Sequence, residues 1–485
     1  MSMTSAASEY FGQVAGQWDN VRAGYFTEAV RDAAIEHAYL RPEMVVADVG
    51  AGTGFVSAGL APLVSKVHLL DGSAAMLDVA RKNLAGFANL EYHLADGQSL
   101  PLPDASVDAA FANMYLHHCT DPLAAIREMA RILKPGGRLV ITDMDSHPYA
   151  WLKEELADVW QGFDQAQVRA WFKEAGMVNT IVTCSGQSCC AKSETVETDP
   201  AKQIASISIF VAAGTLRVPA RDAVREHYAG HARNASSCCG GESASATTAT
   251  CCSTDSESSC CQEIANANLY YSAEERADVP AEAEAISLGC GNPLAFAAMQ
   301  PGEVVLDIGS GGGMDSFLSA KRVGLTGKVI GVDMTPEMLA RARATAEKNA
   351  IPNVEFRQGH AEALPVNDST VNVVISNCVV NLVEDKAVVF GEAFRVLKPG
   401  GRLELSDMVT SGPIPAAARM DENGWSDCIN GALPESEYLE LIEQAGFEAV
   451  KSRRSPSMGA IEGVDLYSVI VSAQKPETIA KSCCS

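Results

Sequence analysis

Twice along the chain a run of apolar residues takes up an acid and then breaks into glycines at every second place. The two stretches are Val46-Ala47-Asp48-Val49-Gly50-Ala51-Gly52-Thr53-Gly54 and Val305-Leu306-Asp307-Ile308-Gly309-Ser310-Gly311-Gly312-Gly313. A short apolar run bounded by turn residues predicts a buried strand, and the glycines predict a tight turn into a helix. Between residues 45 and 144 such runs alternate with helical periodicity, the pattern of a parallel sheet. Helical spacing resumes over residues 150–175. Ile181-Val182-Thr183 and Ile207-Ser208-Ile209-Phe210-Val211 then read as two closing strands, joined by a polar loop that carries Cys184, Cys189 and Cys190. Ahead of the first strand, residues 8–40 set Tyr10, Phe11, Trp18, Tyr25 and Phe26 among helix formers, which predicts either a helical lid or plain core packing.

The second glycine turn brings the same companions in the same order. Asp71 and Asp333 each end a further apolar run about 20 residues on, where a carboxylate can grip a ribose diol. Ala95-Asp96-Gly97-Gln98-Ser99-Leu100-Pro101 is answered by Gly359-His360-Ala361-Glu362-Ala363-Leu364-Pro365. Likewise Arg131-Ile132-Leu133-Lys134-Pro135-Gly136-Gly137 is answered by Arg395-Val396-Leu397-Lys398-Pro399-Gly400-Gly401. The chain therefore reads as two copies of one α/β domain, over residues 1–216 and 266–475, with a connector over 217–265 and a tail over 476–485. The connector opens on an amphipathic segment, Arg221-Asp222-Ala223-Val224-Arg225-Glu226-His227-Tyr228. Residues 235–259 are then mostly Ser, Ala, Thr and Gly with pairs of cysteines, too poor in apolar residues to fold alone, and predict a mobile arm. In the second copy the first strand begins near Val304, the sheet runs to about Met408, an insert spans residues 425–433, and residues 438–446 close as a helix.

At 485 residues the chain suits two units of about 200 residues each. No run of 18 apolar residues occurs and the N-terminus lacks the features of a signal peptide, so a soluble, cytoplasmic protein is expected. A net charge of -24 argues against nucleic acid and anionic membranes as partners. Of the fifteen cysteines, ten form adjacent pairs: Cys189-Cys190, Cys238-Cys239, Cys251-Cys252, Cys260-Cys261 and Cys483-Cys484. In a reducing compartment such pairs point to metal or redox chemistry rather than structural bridges.

The acid-x-Gly-x-Gly-x-Gly turn, the acid ending the second strand and the Leu-Lys-Pro-Gly-Gly segment together resemble the class I S-adenosylmethionine methyltransferases, over nearly all of both halves. A nicotinamide site would want Gly-x-Gly-x-x-Gly, and neither turn has that third glycine in register. The resemblance implies two tandem Rossmann-like domains. In the second it implies S-adenosylmethionine bound by Asp307, Gly309, Gly311, Gly313, Asp333, Met334 and Asn377, with His360, Ala361 and Glu362 flanking the adenine. In the first the matching positions are Asp48, Gly50, Gly52, Gly54, Asp71, Asp96 and Gly97.

Three cysteines of the second half stand alone: Cys290 before its first strand, Cys378 after the fourth and Cys428 after the fifth. The carboxyl ends of central strands face the ligand crevice of such sheets, so Cys378 and Cys428 are expected to look toward the cofactor. The plainer alternative is that each thiol fills space in the core. Zinc is disfavoured because adjacent pairs are not Cys-x2-Cys knuckles. Four segments, residues 224–240 with Ser237-Cys238-Cys239-Gly240, Leu288-Gly289-Cys290-Gly291-Asn292-Pro293, Ser376-Asn377-Cys378 and residues 425–432, resemble the arsenite S-adenosylmethionine methyltransferases. That resemblance implies that Cys290, Cys378 and Cys428 hold trivalent arsenic, from arsenite or methylarsenite, as thiolates suited to a soft centre. It also implies that Cys238 or Cys239 pairs with Cys290 once arsenic has been methylated, and that thioredoxin or glutathione resets the bond.

In the first half Asn113-Met114 stands where the second has Asn377-Cys378, and no cysteine precedes Asp48, so the same three-thiolate site is excluded. Either this half acts on an arsenic species or another small molecule, using Cys184, Cys189, Cys190 and Cys119, or it is a regulatory or structural partner. Two rivals cover the whole chain: a methyltransferase for an organic acceptor such as a quinone, and a thiol-rich protein that sequesters metalloid.

Overall fold

Each glycine turn stands at the end of an inner strand of its own sheet. The computed structural model describes residues 5–192, 204–234, 270–284, 286–295, 297–415 and 428–477. The chain divides into two units, Met1–Val218 and Pro219–Ser485. The expectations placed on Cys238, Cys239, the other connector pairs, Trp425 and Cys483-Cys484 fall outside the described residues.

The first unit's strands are β1 (Val45–Val49), β2 (Lys66–Asp71), β3 (Leu90–Leu94), β4 (Val107–Asn113), β5 (Leu133–Met144), β6 (Met177–Lys192) and β7 (Ile204–Leu216), in the order β3-β2-β1-β4-β5-β7-β6. The first five run parallel, and β7 is antiparallel to both β5 and β6. The second unit repeats this with β8 (Val304–Ile308), β9 (Lys328–Asp333), β10 (Val354–Gln358), β11 (Val371–Asn377), β12 (Leu397–Thr410), β13 (Leu433–Pro434), β14 (Glu448–Arg454), β15 (Ala460–Ile461) and β16 (Val464–Gln474). Its order is β10-β9-β8-β11-β12-β16-β14, with β13 beside β12 and β15 beside β16. Both sheets are doubly wound and Rossmann-like. The helices form on ordinary local signals. Asp121 caps Pro122–Ile132 by accepting from the Ala124 amide, and Ser272 with Glu275 makes a capping box for Ala273–Ala277. No helix among the described residues is long and apolar enough to cross a membrane.

The repeated motifs meet in space. Arg131 donates to the carbonyls of Leu100 and Leu102 (3.0 Å each) and to Glu128, while Arg395 donates to those of Leu364 (3.1 Å) and Val366 (2.8 Å) and to Glu392. The arginine ahead of each Leu-Lys-Pro-Gly-Gly thus ties down the Leu-Pro loop some 30 residues earlier, which is why the two motifs recur together.

Candidate functional site

In the second sheet the strand order reverses between β8 and β11, and ligands of open parallel sheets sit outside the carboxyl ends at such a point. A crevice opens there, walled by the glycine turn, Asp333, Met334, His360, Ala361, Glu362, Asn377 and Cys378. Gly309 holds φ 74°, and a Cβ on it would lie 2.1 Å from Val379 Cγ2. Gly311, at φ 49°, faces open space, the side on which a ligand can approach the backbone.

The acids divide the work. Asp333 ties its own turn, accepting from the Gly311 amide (2.9 Å) and the Thr335 amide (2.8 Å), and it borders the crevice where a ribose would lie. Asp307 instead accepts from Ser316 Oγ (2.6 Å) at the start of the helix Met314–Val323, so it fixes the turn. Burial first, then the neighbouring Asp315, pushes the Asp307 carboxyl above the usual carboxylate range. Glu362 pairs with Arg221 (2.5 Å). An S-adenosylmethionine molecule fits these residues: the turn is open at Gly311, and Ser310 Oγ is buried in the crevice wall with no partner among the described residues.

The three single cysteines come together. Cys378 and Cys428 are each 5% exposed and pack with Met408, Ile414 and Leu466, and Cys290 lies against the same cluster. Cys290 forms a disulfide with Cys378, with Cα atoms 5.7 Å apart, and not with Cys238 or Cys239 as the resemblance implied, because Cys378 stands at the end of the strand against which the Cys290 segment is held. Cys428 Sγ lies 3.0 Å from the Cys378 carbonyl and 3.9 Å from Tyr228 Oη. Both Cys378 (φ 59°) and Cys428 (φ 61°) sit in the left-handed region, conformations that non-glycine residues hold only where the surroundings impose them.

Asn377, expected at the cofactor, also braces the cysteine segment. Its Oδ1 accepts from the Cys290 amide (3.2 Å), and its Nδ2 donates to Gly291 O (2.9 Å), Tyr271 Oη (3.0 Å) and Asp315 Oδ2 (3.1 Å). Tyr271 in turn donates to Asp315 (2.6 Å). Gly289 leaves room for this, since a Cβ there would stand 2.3 Å from Asn377 Nδ2. Tyr271 and Asp315 escaped the sequence reading. Neither stands in a recurring motif, and their role exists only through Asn377.

The first unit has a matching crevice at the ends of β1 and β4, lined by Asp48, Gly50, Gly52, Asp71, Asn113 and Met114. Asp48 accepts from Ser57 N (3.0 Å) and Oγ (2.6 Å), and Asp71 from the amides of Gly52 and Ser73 (2.8 Å each). Gly54 starts the following helix at φ 89°. Asp96 and Gly97 do not line the crevice. Tyr115 covers Gly97 so closely that a Cβ there would meet its hydroxyl at 1.8 Å. The N-terminal helices supply Trp18, Arg22 and Phe26 to the crevice, as a lid would. Arg22 is 9% exposed, lies 4.0 Å over the Phe55 ring, and keeps Nε without a partner among the described residues.

One expectation here is overturned. Cys184, Cys189 and Cys190 lie within strand β6 rather than in a loop, paired with Phe210, Ile207 and Ser206 of β7. Successive strand residues face opposite sides, so Cys189 is buried and Cys190 exposed, and the adjacent thiols cannot close on one ion. Burial pushes both Cys189 and Cys119 up to about 12, which leaves them poor nucleophiles.

Two family models, each described as a methyltransferase domain, match residues 47–141 and 299–446. The chain thus carries two methyltransferase domains in tandem. Over about half its length it is homologous to arsenite methyltransferases. The arsenite methyltransferase of Halobacterium salinarum is 48% identical over 235 residues, 48% of this chain and 58% of that protein. That of Homo sapiens is 38% identical over 152 residues, 30% of this chain and 40% of that protein. A solved arsenic(III) S-adenosylmethionine methyltransferase from Chlamydomonas reinhardtii is 34% identical, covering 42% of this chain and 73% of that one, at a TM-score of 0.39. The chain spans roughly two to three fifths of the length of these curated relatives.

Proposed function

We propose that the second unit transfers the methyl group of S-adenosylmethionine to trivalent arsenic, taking arsenite or methylarsenite as substrate, and so serves arsenic detoxification. One observation carries this reading: Cys290, Cys378 and Cys428, remote in sequence, share a single cluster whose Cys378 also lines the cofactor crevice. Three thiolates suit a soft, pyramidal arsenic and leave its lone pair free. The names of the related proteins support the same choice.

Bound S-adenosylmethionine supplies an electrophilic methyl on a sulfonium. The chain's residues align the partners, with Asp333 and the glycine turn on one side and the three thiolates on the other. Such alignment can supply about 7–11 kcal/mol. Arsenic attacks through a lone pair and has no proton to shed, so no general base is required, and the turn after β11 carries Asn381 and Leu382 rather than an acid or histidine. Forming the arsenic–carbon bond raises arsenic to the pentavalent state. Two electrons return to it when two sulfur ligands leave as a disulfide, and Cys290 with Cys378 has the separation for that bond. The disulfide is then the spent state, and a thiol reductant such as thioredoxin or glutathione restores it, as a reducing cytoplasm allows.

The test is to incubate the full chain with arsenite, S-adenosylmethionine and a thiol reductant and to separate the arsenic species. Methylated arsenicals are expected from the wild type, and at most about one turnover without reductant. Full activity in Cys378→Ser would overturn the reading.

A further inference from the structure

Beside the first unit's crevice lies a second chamber, open to solvent, and Trp18, Phe26, Met114 and His118 border both spaces. Its walls are largely apolar, with Met144, Leu152, Leu156 and Cys189, and its polar groups are the Tyr25 hydroxyl, His117, His118 and Asp158. The two units differ at this place in a chemically pointed way. The short turn Leu116–His118 after β4 corresponds to Val380–Leu382 after β11, so His117 and His118 replace Asn381 and Leu382 just as Met114 replaces Cys378. The acid beneath is kept: Asp143 accepts from the His117 backbone amide (3.3 Å) as Asp407 accepts from that of Asn381 (3.1 Å). The first unit has thus lost the thiol and gained two imidazoles.

We propose that the first unit is a separate methyltransferase whose acceptor is a small apolar aromatic hydroxyl or thiol, bound in this chamber and deprotonated by His118. Unlike arsenic, such an acceptor has a proton to lose. The Nδ1 of His118 lies 3.3 Å from the Ala157 carbonyl, which places the ring proton on that nitrogen and leaves the Nε2 lone pair to accept. His117 holds the floor through Nδ1 to Asp143 (2.7 Å), with Asp158 3.7 Å from its Nε2. Burial, and then the charge of His117, hold His118 neutral and well below the ordinary histidine range, so it takes the acceptor proton only as the methyl bond forms, with Asp158 3.7 Å from its Nδ1 to offset the new charge. In the step, a bond forms between the acceptor oxygen or sulfur and the methyl carbon, and the carbon–sulfonium bond breaks with its electron pair staying on sulfur. The acceptor proton passes to His118 and on to water.

The contrast draws on the arsenic reading, but the chamber belongs to the first unit alone, so each idea can fail without the other. The test uses the full chain carrying Cys378→Ser and Cys428→Ser, with S-adenosylmethionine and either phenol or benzyl mercaptan, both protonated at neutral pH, as probe, and measures the methyl ether or thioether. Product from one of the two probes is expected and identifies the acceptor atom. In that background His118→Gln should lower kcat roughly 100-fold or more with KM within about threefold. Leu152→Trp, which fills the chamber, should abolish turnover while leaving cofactor affinity in place. Absence of product from both probes, or an unchanged kcat in a folded His118→Gln protein, would overturn the proposal.

Discussion

Removing the amide of Asn377 should disable arsenic capture while the cofactor crevice stays largely intact. Of the four hydrogen bonds this side chain makes, those to Cys290 N (3.2 Å) and Gly291 O (2.9 Å) hold the Cys290 segment against the end of β11. Each is worth about 1 kcal/mol net, so Asn377→Ala should release the segment by roughly 2 kcal/mol. Tenfold per 1.4 kcal/mol makes that a loss of roughly 30-fold in the population holding all three thiols together. The assay is steady-state methylation of arsenite under thiol reductant, with cofactor affinity measured separately by calorimetry. Arsenite KM should rise by roughly that factor, with cofactor affinity changing less than about threefold. The opposite pattern, weaker cofactor binding with arsenite KM unchanged, would refute the reasoning and make Asn377 a cofactor contact.

Two further outcomes follow from the same geometry. Asp333→Asn should weaken S-adenosylmethionine binding by the second unit roughly 10- to 100-fold, the worth of charge-assisted hydrogen bonds, and a titration showing no change would contradict a ribose contact. In the first unit, burial disfavours the charge on His117, yet Asp143 and Asp158 outweigh it and lift its pKa to about 9. Because the folded value lies above the ordinary 6.5, the stabilisation, roughly 3 kcal/mol, is present below pH 6.5 and lost as pH rises through 9. Asp158, pushed to about 6 chiefly by burial, completes its ionisation at the lower edge of that window and leaves the upper part to His117. Calorimetric melting of the first unit should therefore fall between pH 6.5 and 9, and His117→Gln should flatten the slope. A variant profile parallel to the wild type would contradict the assignment.

The glycine turns, the acids ending β2 and β9, and the order of the parallel strands were legible because each depends on spacing within a short stretch. The cysteine loop was misread for a physical reason. Ser185-Gly186-Gln187-Ser188 has the composition of a turn and does bulge out of register at Ser185-Gly186, but β7 offers alternate buried positions, among them Ala205, Ile207 and Ile209, and the ladder resumes at Gln187. That Cys290 would bond Cys378 was also beyond reach, since the pair is 88 residues apart and is joined through Asn377. The chamber beside His118 was hidden likewise, its walls coming from helices and strands at both ends of the unit.

X-ray absorption at the arsenic edge, on the reduced full chain loaded with arsenite, tests the central claim most directly. Three sulfur neighbours about one arsenic are predicted, falling to two in Cys428→Ser. A first shell of oxygen, or a sulfur count indifferent to that substitution, would contradict the three-thiolate site.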